Sequence, residues 1–325
     1  MQALVLEQSD GLTHAQIREI DAEQLPAGDV TVDISWSSIN YKDALAITGK
    51  GKIIRNFPMV PGIDFVGTVR HSDSDRFAVG QPVILTGWGV GENHWGGLAQ
   101  QARVKSDWLV PLPASLDARK AMILGTAGFT AMLCVMALED GGITPESGDI
   151  IVTGASGGVG STAVALLAEL GYQVTAVSGR ADNTDYLKKL GAKQVLDRSE
   201  FSGTPRPLEK QRWAGAVDTV GDNVRATLLA QMDYNATVAA CGLAGGIALP
   251  TTMMPFILRN VRLQGVDSVM APLARRQQAW ERLAAILPES FYQQVTQEIG
   301  LEDVPAVAAA LLENKVTGRT LVKIS

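Results

Sequence analysis

Ile150-Ile151-Val152-Thr153-Gly154-Ala155-Ser156-Gly157-Gly158-Val159-Gly160 is an apolar run that breaks into clustered glycines and then enters a helical pattern over Ser161–Gly171. The order is strand, phosphate loop, helix. Glycines at 157, 158 and 160 lack a Cβ, so the turn can be tight and the backbone can approach a pyrophosphate, whose charge then faces the positive end of the helix. Ser156, Gly157, Gly158 and Val159 are therefore candidates for holding a dinucleotide. The spacing is a variant of G-x-G-x-x-G, with Ala155 at the place of the first glycine and Gly154 just before it. A second strand, Gln173–Val177, ends in Ser178-Gly179-Arg180, about 20 residues past the glycines, where this fold reads the ribose. An acidic side chain there would bind the free 2′-hydroxyl of NAD. Ser178 and Arg180 instead offer donors and a positive charge suited to the 2′-phosphate of NADP. The expected cofactor is NADPH, with Ser178, Gly179 and Arg180 at its adenosine end.

The chain has 325 residues, 46% of them hydrophobic, and a mean hydropathy of +0.11, enough apolar material for two packed domains. A net charge of −6 and a pI near 5.2 argue against a general nucleic-acid or anionic-membrane surface, since either needs a basic field over the binding face. Met1–Glu7 lacks the basic segment and long apolar core of a signal peptide, and no run reaches the ~18 apolar residues of a membrane span. A cytoplasmic, soluble protein with neither a membrane nor a nucleic-acid partner is expected. Two cysteines, Cys134 and Cys241, and three histidines make the chain poor in soft metal ligands, so neither a disulfide framework nor a structural zinc cluster is expected.

From Met1 to about Arg70 short strands alternate with turns: Gln2–Leu6, Asp29–Ser35 and Gly67–Arg70. One helix lies between them, capped by Asn40 and closed at Gly49. From about Met122 to Leu287 the chain reads as a doubly wound parallel sheet. Strands at Gln194–Leu196, Gly215–Val220, Thr237–Cys241 and Arg262–Val266 follow the first two, with helices Asp182–Leu190 and Asn223–Met232 in two of the crossovers. A helix over Val304–Glu313 and a strand over Thr320–Ile324 close the chain. The fold class is α/β: a doubly wound parallel-sheet cofactor domain plus a β-rich domain.

Asn-x-x-Asp at 40–43, Pro-Gly-x-Asp-x-x-Gly-x-Val at 61–69, Gly-Gly-x-Ala at 96–99 and the glycine loop at 154–160 stand in a distinctive order and spacing. Through them the chain resembles the medium-chain dehydrogenase/reductase superfamily over nearly its whole length. Zinc alcohol dehydrogenases of that superfamily carry a metal-binding histidine where this chain has Ile63, and their cysteine ligands are missing here. The chain is thus similar to the zinc-independent quinone reductase and enoyl reductase branch, and no metal is expected. More narrowly, Asn-Tyr-Lys-Asp-Ala-Leu-Ala, the Gly-Ile-Asp motif and the Ser-Gly-Arg strand end resemble the YhdH/AcuI group of NADPH-dependent acryloyl-CoA reductases. The resemblance implies a GroES-like catalytic domain at 1–121, completed by a returning segment at 294–325, and a Rossmann NADP-binding domain at 122–293. It places the substrate cleft between domains and implies a homodimer paired through the edge strand of the cofactor domain.

The chemistry so implied is conjugate reduction of an enoyl-CoA, acryloyl-CoA becoming propanoyl-CoA. Hydride goes from the nicotinamide C4 to the β-carbon, charge spreads onto the thioester oxygen, and the α-carbon takes a proton. Positioning of the two reactants can supply about 7–11 kcal/mol of this, and backbone donors can hold the enolate oxygen. Related enoyl reductases place a polar residue of this motif beside the cofactor, which makes Tyr41 a candidate proton donor; packing or a cofactor hydrogen bond is its other role. Asp64 is the second catalytic candidate, against a structural hydrogen-bond role. By resemblance, Arg198, Leu243 and Ser268 near strand ends bind the cofactor with Tyr41, and so does Asn314 in the tail motif Asn-Lys-Val-Thr-Gly-Arg. Trp88, Trp95, Met253, Met254 and Phe256 line an apolar pocket or belong to the core. Lys50, Lys52 and Arg55 are either a solvated loop or an anion patch for the phosphates of CoA. Two alternatives stay open on the motifs alone: a quinone or enone reductase, and a non-catalytic NADPH-binding protein.

Overall fold

The computed structural model describes residues 1–325. The chain opens with strands β1 (Gln2–Ser9), β2 (Leu12–Glu19) and β3 (Val30–Ile39), helix α1 (Tyr41–Thr48), and strands β4 (Asp64–Ser72), β5 (Pro82–Thr86), β6 (Gln101–Val104) and β7 (Leu109–Pro111). The long helix α2 (Ala118–Asp140) leads to β8 (Ile150–Val152), α3 (Gly158–Glu169), β9 (Val174–Ser178), α4 (Thr184–Lys189), β10 (Gln194–Asp197) and β11 (Trp213–Asp218). Then come α5 (Asp222–Gln231), β12 (Met232–Ala240), α6 (Met254–Arg259) and β13 (Arg262–Gly265). The chain ends with α7 (Leu273–Ile286), α8 (Glu289–Val295), β14 (Thr296–Ile299), α9 (Val304–Leu312) and β15 (Arg319–Lys323).

Two compact units result. The first is Met1–Thr126 with Ser268–Ala284 and Val295–Ser325; the second is Ala127–Asp267 with Ala285–Gln294. The sequence reading keeps all of 122–293 in the cofactor domain, whereas Ser268–Ala284 packs within the first unit. Arg276 on α7, 1% exposed, helps hold it there: its Nη1 donates to the Thr86 carbonyl at 2.7 Å and to Thr86 Oγ1 at 2.9 Å.

The second unit is built on a six-stranded sheet in the order β10-β9-β8-β11-β12-β13, parallel throughout. Its two halves wind outward from β8 and β11, the doubly wound arrangement whose strand ends receive ligands. All of β8 is buried, as suits a parallel strand covered on both faces. Ile151, Phe201, Leu228, Met232 and Val238 belong to its core. Helix α3 starts at Gly158 rather than at the expected Ser161, because the loop glycines themselves make its first turn.

The first unit holds a seven-stranded sheet, β14-β15-β3-β4-β5-β7 with β6 also on β3, and a separate β1-β2 hairpin. Val30, Val32 and Ile34 alternate along β3 into a core with Phe65, Leu85 and Val104. Helix α1 buries Ala44 and Ile47 in a cluster with Val304 and Ala308 of α9.

Against the sequence expectation, α2 is long and apolar enough to cross a membrane by length and composition, with a mean hydropathy of 2.0 over its apolar window. Of that window 89% is buried inside the protein, so α2 is a core helix. Its helical dihedrals break at Gly125 (φ 49°, ψ −151°).

Candidate active site

In the second unit the Gly157 N–H donates to the Gly154 carbonyl at 3.0 Å, closing the turn, and Gly157 is the N-cap of α3. A Cβ on residue 160 would come within 2.3 Å of the Gly154 oxygen and 2.7 Å of the Ala155 Cα, so only glycine lets α3 start this close to β8. Gly157 is exposed and Ser156, Gly158 and Val159 are half-buried. The first N–H groups of a helix have no partner within it, so Gly158 and Val159 offer donors to an anion, while the Gly157 N–H is taken by Gly154.

β9 ends at Ser178, whose Oγ accepts the Arg180 N–H at 3.3 Å and the Asn183 Nδ2 at 3.4 Å. Ser178 lies opposite Asp197, so Arg198, the next residue, emerges at the neighbouring strand end. Its guanidinium lies over Gly179, where an added Cβ would meet Arg198 Cζ at 3.0 Å. Ser178, Gly179, Arg180 and Arg198 thus come together in one cationic corner. The Asp197 carboxylate is turned to the Ser199 N–H at 2.8 Å. A cradle closed to a Cβ at 160 and a strand end that joins Ser178 and the Arg180 backbone to the Arg198 guanidinium over Gly179 fit the pyrophosphate and 2′-phosphate of NADP(H).

Asp218 and Arg225 were missed in the sequence. Asp218, fully buried at the end of β11, accepts Thr153 Oγ1 at 2.6 Å and Arg225 Nε at 2.7 Å, and Arg225 Nη2 donates to the Gly242 carbonyl at 2.6 Å. The pair ties together the ends of β8 and β11 and the turn after β12. It therefore sets the backbone just before Leu243, which is 57% exposed.

In the first unit Tyr41 is the first residue of α1 and is 48% exposed. Asn40 stands at the N-cap of α1 as expected, but its side-chain amide is turned to other partners. Its amide oxygen accepts Arg319 Nη1 at 3.2 Å, and its Nδ2 donates to Asp64 Oδ2 at 2.9 Å. Asp43 takes the tethering role instead. One of its carboxylate oxygens accepts the Asn40 N–H at 2.9 Å, while the other accepts the N–H groups of Gly62 at 3.1 Å and Ile63 at 2.9 Å.

Asp64 is 0% exposed. It accepts Ser38 Oγ at 2.6 Å and the Thr126 N–H at 2.7 Å in addition to Asn40. Arg319, at the start of β15, donates to Ser38 Oγ at 2.7 Å and to the Ile123 carbonyl at 2.8 Å. Burial pushes the Asp43 carboxyl up to about 7, reinforced by Asp64, while its N–H donors pull the other way. Burial also lowers the Arg319 pKa, against the raising effect of Asp64 and Asp43. Gly125 makes room for this cluster: a Cβ there would lie 2.8 Å from both Arg319 Nη2 and Asp64 Oδ2.

Ser268 and Asn314 also fall in the first unit. The Ser268 carbonyl accepts Arg276 Nη2 at 3.0 Å, and Asn314 is exposed just past α9 in a left-handed conformation (φ 58°). Trp88 stacks on Arg276, whose Cζ is 4.6 Å from the ring centroid. Trp95 donates its Nε1–H to the Pro58 carbonyl at 3.1 Å and packs on the first unit's core. In the second unit Phe256 packs on the core, whereas Met253 and Met254 are 63% and 40% exposed and belong to no core. A surface pocket of about 480 Å³, lined by Glu7, His14, Gln16 and Phe57 among others, contains none of the expected site residues.

Two family models match the chain: the alcohol dehydrogenase GroES-like domain over residues 26–114 and the zinc-binding dehydrogenase over residues 158–286. The chain is also 70% identical to the probable acrylyl-CoA reductase AcuI of Escherichia coli K12, over 325 residues and the whole of both chains. It belongs to the AcuI/YhdH family of medium-chain dehydrogenases/reductases. Within the AcuI/YhdH family it is 52% identical to the acrylyl-CoA reductase AcuI of Ruegeria pomeroyi, with 99% of each chain covered. The crystal structure of the YhdH oxidoreductase from Salmonella enterica in complex with NADP matches it with a TM-score of 0.99, at 70% identity and over 100% of both chains. The family architecture is a GroES-like domain with a Rossmann-like NADP-binding domain. Despite the name of the second model, no three His, Cys, Asp or Glu side chains gather into a group that could hold a metal ion.

Proposed function

We propose that the protein is an NADPH-dependent reductase of the C=C bond of a short enoyl-CoA, converting acryloyl-CoA to propanoyl-CoA. The observation that carries this reading is the end-to-end 70% identity with a probable acrylyl-CoA reductase. The cationic corner at Ser178, Arg180 and Arg198 supports NADPH over NADH. When bound, NADPH supplies the hydride that the β-carbon of the enoyl thioester receives. In this reading the backbone at Ser156, Gly157, Gly158 and Val159 holds the pyrophosphate. Ser178, Arg180 and Arg198 hold the 2′-phosphate against Gly179, and Leu243, Ser268 and Asn314 flank the rest of the dinucleotide. Tyr41, half-exposed at the start of α1, delivers the proton to the α-carbon or orients the nicotinamide. Asp64 is a positioning residue rather than a catalytic one, because it is wholly buried and its oxygens are taken by Ser38, Asn40 and Thr126. With Asp43 and Arg319 it fixes the turn that presents Tyr41.

The cofactor domain in this reading is the second unit, and the protein pairs as a homodimer through β13. That strand lies at the edge of its sheet, and Ile247, Ile257 and Leu258 expose apolar surface in the same unit. NADPH oxidation measured in parallel with acryloyl-CoA, crotonoyl-CoA and a simple quinone, with and without a chelator, tests the reading. Chelator-insensitive turnover of acryloyl-CoA is expected. Turnover of the quinone alone would make the protein a quinone reductase, and tight NADPH binding with no turnover would make it a non-catalytic NADPH-binding protein.

A further inference from the structure

Immediately after α1 the chain runs Lys50-Gly51-Lys52-Ile53-Ile54-Arg55, a basic stretch in a protein of net charge −6. Gly49 ends the helix in a left-handed conformation (φ 66°), and the Gly51 N–H donates back to the Leu45 carbonyl at 3.4 Å. Ile53, Ile54 and Phe57 pack against the cluster that contains Ile47 and Val304. The loop is thus anchored by its apolar residues while Lys50, Lys52 and Arg55 are exposed. None of these cations has an ion-pair partner. Glu313 senses the charge of Lys50, but its carboxylate is bound to Lys315 at 2.6 Å.

An ordinary solvated loop also exposes lysines. Here two further features coincide. Apolar anchoring reduces the entropy lost when the cations are ordered around a ligand. Position matters as well: the eight residues of α1 place Tyr41 at one end of the helix and this loop at the other, a rise of about 12 Å. That separation is on the scale of the pantetheine arm between a thioester and the diphosphate of CoA. Carbonyls at the end of α1 disfavour an anion, so a cluster of cations is what such a ligand requires there. We infer that Lys50, Lys52 and Arg55 bind the diphosphate and 3′-phosphate of the CoA moiety. The inference rests on the reading of the substrate as an enoyl-CoA.

The test compares wild type with the K50E/K52E/R55E variant on acryloyl-CoA and on acryloyl-pantetheine, which has the same reacting group and no nucleotide. Equilibrium titrations with CoA and with NADPH accompany the kinetics. The expected result is a KM for acryloyl-CoA and a Kd for CoA raised about 10-fold or more, with kcat, the KM for acryloyl-pantetheine and the NADPH Kd changed less than about twofold. A K50Q/K52Q/R55Q variant shifts the same constants in the same direction by less, and the wild-type KM for acryloyl-CoA rises with salt. Unchanged CoA constants, or an equal loss on both thioesters, would overturn the assignment, and a loss of NADPH affinity alone would give the loop to the cofactor. If wild type reduces neither thioester, the functional reading fails on its own. The CoA titration then decides the loop, with no binding or equal Kd values for wild type and variant counting against it.

Discussion

The Asp43 carboxylate accepts the Ile63 N–H at 2.9 Å, so the first turn of α1 is bonded directly to the loop that carries Ile63 and leads into β4 at Asp64. Tyr41 is exposed, yet the groups that fix its backbone lie in the interior: Asp43, Asn40, Asp64 and Arg319 are all buried. On the proposed function, positioning and chemistry in this part of the first unit would fall to different residues.

Tyr41→Phe and Asp64→Asn separate those roles. If Tyr41 donates the proton, Tyr41→Phe lowers kcat about 100-fold and leaves the NADPH Kd nearly unchanged; unchanged turnover would assign the proton to water or to another group. Asp64→Asn breaks a buried charged network, which costs about 3–5 kcal/mol of stability, while the molecules that remain folded keep most of their kcat. A thermal melt beside active-site-normalised kinetics distinguishes the two effects. A kcat loss of about 100-fold in folded Asp64→Asn would restore a catalytic role to Asp64.

Arg180→Ala and Arg198→Ala act on cofactor choice. A charge-assisted contact is worth about 1.5–3 kcal/mol, so each substitution should weaken NADPH by roughly 10- to 100-fold while hardly moving NADH. Fluorescence titration with both cofactors measures the ratio. Equal losses for the two would remove both arginines from the 2′-phosphate.

The loop glycines should separate folding from binding. Gly160→Ala puts a Cβ 2.3 Å from the Gly154 oxygen and lowers the melting temperature, because backbone atoms must move. At Gly157 (φ −80°) the nearest atom to an added Cβ is the Gly154 oxygen at 3.4 Å. Gly157→Ala therefore keeps its melting temperature, yet it sets a methyl group where the phosphate would approach and weakens NADPH. A Gly157→Ala protein with wild-type NADPH affinity would place the pyrophosphate elsewhere.

Asp43 gives a pH dependence of definite sign. Burial and Asp64 hold its carboxyl at about 7 in the folded state, against about 3.9 when unfolded. The folded protein therefore binds this proton more tightly. Its stabilising effect is complete below about pH 4, is lost as the pH rises through about 7, and is constant above that. The difference in urea unfolding free energy between wild type and Asp43→Asn should follow that course. A difference independent of pH across this range would mean that Asp43 is ionised throughout.

The cofactor half was legible because its signal is local. A buried strand, clustered glycines and a Ser-Gly-Arg strand end are contiguous in sequence, and β8, α3 and β9 follow from them. β2 was missed because it carries little apolar pattern: every residue of Leu12–Glu19 is exposed or half-buried. α7 was missed with it, and so was the placement of Ser268–Ala284 in the first unit. Arg276 reads in sequence as one of many surface arginines, and only the fold reveals that Thr86 lies against it. The Asp43–Asp64–Arg319 cluster was half visible: the two aspartates stand in motifs, but their counter-charge comes from β15 at the far end of the chain. Arg319 ends the tail motif Asn-Lys-Val-Thr-Gly-Arg, and an arginine entering a short apolar strand was the one signal that marked it.

The most direct test of the central claim is the fate of the label when acryloyl-CoA is reduced with NADPH carrying deuterium at the transferable C4 position, followed by mass spectrometry of the product. The account predicts propanoyl-CoA with one deuterium at the β-carbon and NADP as the co-product, with or without a chelator. Deuterium at the α-carbon, a reduced carbonyl in place of the reduced C=C bond, or unconsumed acryloyl-CoA beside rapid reduction of a quinone would contradict it.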